Sequence, residues 1–162
     1  MAEISKFFPT YFYQDRLKDQ ELLAGLERGA RLLAKEDAAG IAWSKQQGYL
    51  GYTSYASLND LPKRDPYFGD LQLKLDRLVM EFALAIGFNL ERRKLKLNSI
   101  WVNILEHYGG HSGHIHPHSV ISGTLYLAVP TKQDQSRSGA FKIEDPRLPM
   151  LMAAPPKRSD AP

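Results

Sequence analysis

The sequence predicts an α+β fold that is mainly β in its second half, and three observations carry that reading. Apolar residues recur at helical spacing twice in the first 90 or so positions. Two segments rich in β-branched and aromatic residues, LNSIWVNIL (97–105) and VISGTLYLAV (120–129), come after them. Between them runs a Gly-rich connection holding every histidine of the chain, so the strands frame a loop of concentrated chemistry.

Taken in order, FFPTYFY at 7–13 is short, aromatic and interrupted by Pro9, which suits an edge strand or an extended segment lying on the core. From Asp15 the pattern turns helical. Leu22, Leu26, Ala30 and Leu33 recur at three- and four-residue spacing, and Ala38, Ala39 and Gly40 are expected to end the helix. Residues 41–65 keep no period and are rich in Gly, Ser, Asn and Tyr, which predicts a long ordered loop with one short strand. Its Tyr49, Tyr52 and Tyr55 are candidates for lining a pocket, although covering a core is the commoner use of such rings.

The clearest amphipathic helix begins after Pro66, with Leu71, Leu75, Leu78, Phe82 and Ile86 on one stripe and Gly87 as its stop. Residues 95–105 read as a strand exposed early and buried late. Residues 120–129 read as a second strand, with Ser122, Thr124 and Tyr126 on one face and Ile121, Leu125 and Leu127 on the other. A polar turn at 130–139 leads to a third short strand around Phe141 and Ile143, and a Pro-rich tail lies beyond residue 149. Three or four strands make an incomplete sheet.

At 162 residues and 43% apolar content the chain has the size and composition of one globular domain. Its expected parts are an N-terminal helical portion at about 1–92, strands at about 93–149 and a tail at 150–162. The formal charge of +3 is dispersed, and ERRKLK near residue 91 reads as a solvated helix end or edge strand rather than a nucleic-acid contact. There is no cysteine, which removes disulfides and thiolate zinc sites and restricts any metal to nitrogen and oxygen donors. With neither a cleavable leader pattern nor an apolar run of about 20 residues, the expected location is the cytoplasm, without a membrane span.

All five histidines fall between His107 and His118. Imidazole binds transition metals and titrates near neutrality, so this concentration points to a metal site. His114 and His116, in His-x-His spacing on an extended backbone, project to the same side and can take adjacent positions on one divalent ion. His118 extends the row, but Pro117 bends the chain before it. His107 and His111 lie upstream, where hydrogen bonding to the loop is the simpler role. Carboxylates that could complete the set are Glu106, Glu144 and Asp145, none of them placed by spacing. Ser119 and Ser122 lack the Gly-x-Ser-x-Gly elbow of a serine hydrolase.

At these residues the chain resembles the iron- and 2-oxoglutarate-dependent dioxygenases, in particular a small bacterial and phage group with a W-V-N-x-L, G-G, H-x-H-P-x-S-x-x-S-G and D-P pattern. The matching residues are Trp101 to Leu105, Gly109-Gly110, His114 to Ser119, Ser122-Gly123 with Tyr126, Glu144 to Arg147, and Phe8-Pro9 near the start. The resemblance implies a double-stranded β-helix, the jelly-roll or cupin-like barrel, flanked by the N-terminal helices. It implies Fe(II) and 2-oxoglutarate as cofactors, O2 as co-substrate, ascorbate as a reductant, and coupling of 2-oxoglutarate decarboxylation to C–H hydroxylation.

Carried over by motif, His114 matches the first iron ligand. His116 stands where most of the superfamily has an acidic residue, and Asn103, Tyr126 and Ser122 match positions that contact 2-oxoglutarate or substrate. The distal histidine ligand and the late basic residue that pairs with 2-oxoglutarate have no counterpart after His118, and Arg147 does not match the latter role. The expectation is therefore a barrel incomplete at its C-terminus. Two other readings compete. One is a cupin-like metal-binding protein, although the position of its glutamate is held here by Val120 or Ile121. The other is an inactive or degenerate binding protein.

Overall fold

The computed structural model describes residues 8–129, 139–145 and 147. Three α-helices and a two-stranded antiparallel sheet are formed there: α1 Gln20–Glu36, α2 Ala38–Gln46, β1 Gly51–Thr53, α3 Pro66–Ala85 and β2 Asn103–Leu105. One turn of 3-10 helix at Leu61–Lys63 precedes α3.

Helix α1 starts where Asp19 accepts the Leu22 N–H at 3.1 Å, one of the donors a helix N-terminus otherwise leaves without a partner. Its stripe of Leu22, Leu26 and Ala30 is buried, as the spacing predicts, against Phe68 and Leu71 of α3 and against Leu61, Tyr52 and Val102. Leu26 is fully buried. Helix α3 begins with Pro66 in its first turn and Asp65 as cap, and Gly87 comes after its end at a φ of 84° that glycine adopts without strain. The two helices approach closely because α1 carries Gly25, where an added Cβ would stand 2.3 Å from the Tyr67 ring.

The chain does not pass into a loop at Ala38-Ala39-Gly40. Those residues open α2, and the reason is Asp37, whose carboxylate accepts the Gly40 N–H at 3.0 Å and caps a new helix at the point where α1 ends. The same carboxylate accepts the Tyr52 hydroxyl at 2.8 Å and the Ser57 hydroxyl. Most of the segment 47–65 is the ordered loop expected, with β1 as its short strand.

The sheet pairs Gly51 with Leu105, Tyr52 with Ile104 and Thr53 with Asn103. Buried serines extend it. The Ser44 hydroxyl accepts the Thr53 N–H at 3.1 Å, and the Ser54 hydroxyl accepts the Val102 N–H at 3.1 Å while donating to the Leu58 carbonyl. Tyr52 and Val102 face the core.

The barrel is not formed among the described residues. Residues 120–129 are irregular backbone rather than a strand, as are residues 95–102 and 140–145 apart from an isolated bridge of Ile100 to Asp60. A two-residue alternation becomes a strand only where a neighbouring edge supplies hydrogen bonds. Val120, Leu125 and Tyr126 stand 64%, 39% and 47% exposed, with no sheet beside them. Residues 8–13 are irregular, not an edge strand, with Phe8 at a left-handed φ of 56°; Tyr13 rests on Phe82 and Phe12 on Phe141. The expected turn at 130–138 and the tail beyond 147 lie outside the described residues. No helix among the described residues is long and apolar enough to cross a membrane.

Burial alone would push the Asp37 carboxyl up, but the hydrogen bonds from Ser57, Gly40, Tyr52 and Ala39 prevail and hold it below its ordinary 3.8. A depressed folded-state value adds stability that is complete above the unfolded value and is lost as pH falls through the folded one. Asp37→Ala is expected to lower the unfolding free energy by about 2–3 kcal/mol, from the lost cap and lost charge-assisted bonds. Asp37→Asn should cost less and should remove part of the acid destabilisation below about pH 4. Urea denaturation at pH 7 and pH 3 checks both.

Candidate metal centre

The sheet presents one face to the core, and on the other Asn103 and Leu105 of β2 stay exposed. Tyr52 and Ile104 take the first; by strand alternation Thr53 and Tyr55 of one chain segment, and Trp101 and Asn103 of the other, take the second. Tyr55 and Trp101 meet edge to face at 5.2 Å between ring centres, and the Thr53 hydroxyl donates to Asn103 Oδ1 at 2.6 Å.

Beyond β2 the chain turns at once. The Gly109 N–H reaches the Glu106 carbonyl at 2.9 Å, and Tyr108 takes a left-handed φ of 65°. His107 meets the Tyr108 ring at a tilt, 4.0 Å between centres, and Tyr108 is 89% exposed, so the first histidine is spent on the outside of the turn. The loop then runs from Tyr49 to Trp101. Its rings form a row: Tyr49 to His111 at 5.6 Å, His111 to His114 at 6.2 Å, His114 to His116 at 5.0 Å and His116 to Trp101 at 5.7 Å. The loop is thus fastened at both ends, by Tyr49 ahead of β1 and by Trp101 ahead of β2.

Hydrogen bonds fix how two of these rings present their nitrogens. His114 Nδ1 lies 2.8 Å from the Ser112 carbonyl, which only accepts, so Nδ1 carries the proton and Nε2 holds the free lone pair. That is the arrangement metal-binding histidines use, with the second nitrogen donating to a carbonyl or carboxylate. His111 Nε2 lies 3.1 Å from the Tyr49 hydroxyl. Burial pushes the Tyr49 phenol up to about 12, so it meets Nε2 as a protonated hydroxyl. Partial desolvation first, and the neighbouring His114 second, hold His111 below the ordinary imidazole value.

His114 and His116 are therefore side by side as the His-x-His spacing predicts, with His116 the more sheltered of the two. His118 lies within a turn closed by the Ser119 N–H on the His116 carbonyl, and it is exposed. Asn103 is exposed on β2, with its side chain bonded to Thr53. Ser122 instead lines a cleft of about 300 Å³ with Phe82, Ile86 and Tyr11. Tyr126 is half-exposed and is not part of the ring row. Of the pocket candidates, Tyr49 and Tyr55 join that row, whereas Tyr52 turns to the core.

Of the carboxylates, Glu144 comes nearest the loop: Oε2 is 3.7 Å from where a Cβ on Gly113 would stand, and Lys142 pairs with it. Asp145 is engaged by the Arg147 guanidinium at 2.9 Å and 3.0 Å. The donor set suits a divalent transition metal in kind, with two imidazoles at a spacing one ion can bridge. Among the described residues no three His, Asp or Glu side chains converge closely enough to enclose it. The residue that spacing undervalues is His111, whose link to Tyr49 spans the 62 positions between them.

The site is of the His-x-His class, a pair of imidazoles on the loop that comes after β2. Residues 99–162 match the family described as "Putative 2OG-Fe(II) oxygenase", the family to which the motif pointed. That match spans β2, the histidine loop and the C-terminal segment after it. No curated protein matches the chain significantly.

His114→Ala and His116→Ala are each expected to abolish iron(II) binding, whereas His107→Ala should leave it within about twofold of the parent. Anaerobic calorimetric titration reads all three. Equal losses would show that the cluster acts through loop structure rather than through a ligand pair.

Proposed function

We propose that the chain is an iron(II)- and 2-oxoglutarate-dependent oxygenase in which His114 and His116 hold the metal. The observation that carries this is the pairing of two imidazoles, with His114 Nε2 left free by the Ser112 carbonyl, inside the segment that matches the oxygenase family. When bound, iron(II) and 2-oxoglutarate supply oxidative decarboxylation by O2 coupled to hydroxylation of a C–H bond.

The chain's own residues supply position. Trp101 stacks on His116 and limits how that ring rotates, and the Ser112 carbonyl does the same for His114. Asn103 accepts the Thr53 hydroxyl through Oδ1, which leaves its amide N–H groups for a carboxylate of 2-oxoglutarate or substrate. Tyr126 and Ser122 are the further candidates for such contacts, and His118 for the metal. Trp101, braced edge to face by Tyr55, gives the site an aromatic side beside His116.

A metal-binding protein of the cupin-like kind, without 2-oxoglutarate chemistry, is the second reading. It is favoured by Arg147, the late arginine of the matching motif, which spends its guanidinium on Asp145.

Anaerobic titration with iron(II) and then 2-oxoglutarate separates the two. The oxygenase reading expects a weak visible charge-transfer band from bidentate chelation; iron binding without the band is the outcome for the cupin-like reading. Asn103→Ala is expected to weaken 2-oxoglutarate binding about tenfold, the loss of one charge-assisted hydrogen bond, with iron(II) affinity unchanged.

A further inference from the structure

We infer that residues 94–98 form a docking edge for an extended acidic peptide, one that carries carboxylates at every second position. The inference stands apart from the metal reading and uses none of the histidines.

Local structure is the first argument. No strand lies beside KLKLN at 94–98, yet the segment alternates with a strand's two-residue period. Leu95 and Leu97 are half-buried, whereas Lys94, Lys96 and Asn98 are exposed. The Leu97 N–H donates to Asp76 Oδ1 at 2.6 Å and the Leu95 N–H to Met80 Sδ at 3.1 Å, one turn apart on α3. Helix α3 thus takes the place of a neighbouring strand along one edge. Alternation turns the backbone groups of Lys94, Lys96 and Asn98 to the opposite edge, and among the described residues none of their N–H groups has an acceptor.

That edge is competent for pairing. Two residues beyond Asn98, at the same parity, the Ile100 N–H donates to the Asn59 carbonyl at 3.0 Å, and Ile100 forms a parallel bridge with Asp60. The edge takes up a neighbouring segment where one is present, and 94–98 is its uncovered part. Free main-chain groups of this kind bind extended peptides by strand addition.

Charge selects the occupant. Lys94 and Lys96 project from one face about 6.6 Å apart, two residues at a strand's rise. Arg92 adds positive charge just before them. Among the described residues none of these three forms an ion pair, whereas Arg93 is taken by Glu91. In a strand laid on this edge, the residues opposite Lys94 and Lys96 are also two apart, and carboxylates there meet opposite charge. A second copy paired through the same segment sets lysine against lysine, which like-charge repulsion disfavours.

The test is fluorescence anisotropy at low salt, with the full chain titrated into a labelled peptide, Thr-Glu-Thr-Glu-Val-Glu-Thr. An isomer with its glutamates contiguous and a backbone N-methylated form are each expected to bind at least about tenfold more weakly. The double variant Lys94→Glu/Lys96→Glu should lose at least about tenfold for the alternating peptide and gain binding to its lysine counterpart, a rescue that misfolding does not produce. The peptide comparisons decide the matter should that variant fold poorly. Equal binding of both isomers and of an oligothymidylate overturns the inference, since charge alone then suffices. No binding of the alternating peptide overturns it as well. Sedimentation that shows a dimer of the native chain, dissociated in the double variant, assigns the edge to a second copy and also overturns it.

Discussion

The carboxylate of Asp37 is the joint on which this structure turns. It sits where α1 ends and α2 begins, and without it the Gly40 N–H of the second helix would lose its acceptor. It also takes the hydroxyls of Tyr52 and Ser57, tying the helical layer to β1 and to the loop after it. One side chain thereby connects the helices to the sheet. Gly40 is required next to it: an added Cβ there would stand 2.2 Å from Asp37 Oδ2. The packing of α1 on α3 completes the layer, but it is Asp37 that sets where β1 lies against it.

Everything the candidate centre needs depends on the position of β1. Its pairing with β2 is short, three residues on each strand, and is reinforced by hydroxyls that replace missing ladder bonds: Ser44 at Thr53, and Ser54 at Val102. These serines are buried and fully engaged, so they act as extensions of the backbone ladder rather than as chemical groups. The segments they hold carry Asn103, Trp101 and Tyr55, and the histidine loop meets Trp101 through His116. The fold contributes a platform, and the loop contributes the donors.

Much of this was legible in residue order, and the exceptions have physical causes. Helices α1 and α3 announce themselves because each buries a stripe at helical spacing. Helix α2 does not, because AAGIAWSKQ has no such stripe and buries Gly40 and Ser44 instead; its start depends on a cap, which reads equally well as a stop. The strand at 120–129 has the right alternation and lacks a partner edge among the described residues, which no local pattern reveals. His114 and His116 were readable from a two-residue period. The place of His111 was not, since its fixing partner is Tyr49, far off in sequence.

The ring row has a consequence for how the protein can be observed. The chain contains two tryptophans, Trp101 stacked on His116 and Trp43 in contact with Tyr55, 6.3 Å between centres, which in turn meets Trp101. All of the indole emission therefore originates along a single line of rings that ends on the histidine loop. A shift of that loop changes the quenching of Trp101 by the imidazole stacked on it, while Trp43, two rings further away, serves as an internal reference. The native chain carries its own fluorescent gauge of the loop, with no label needed.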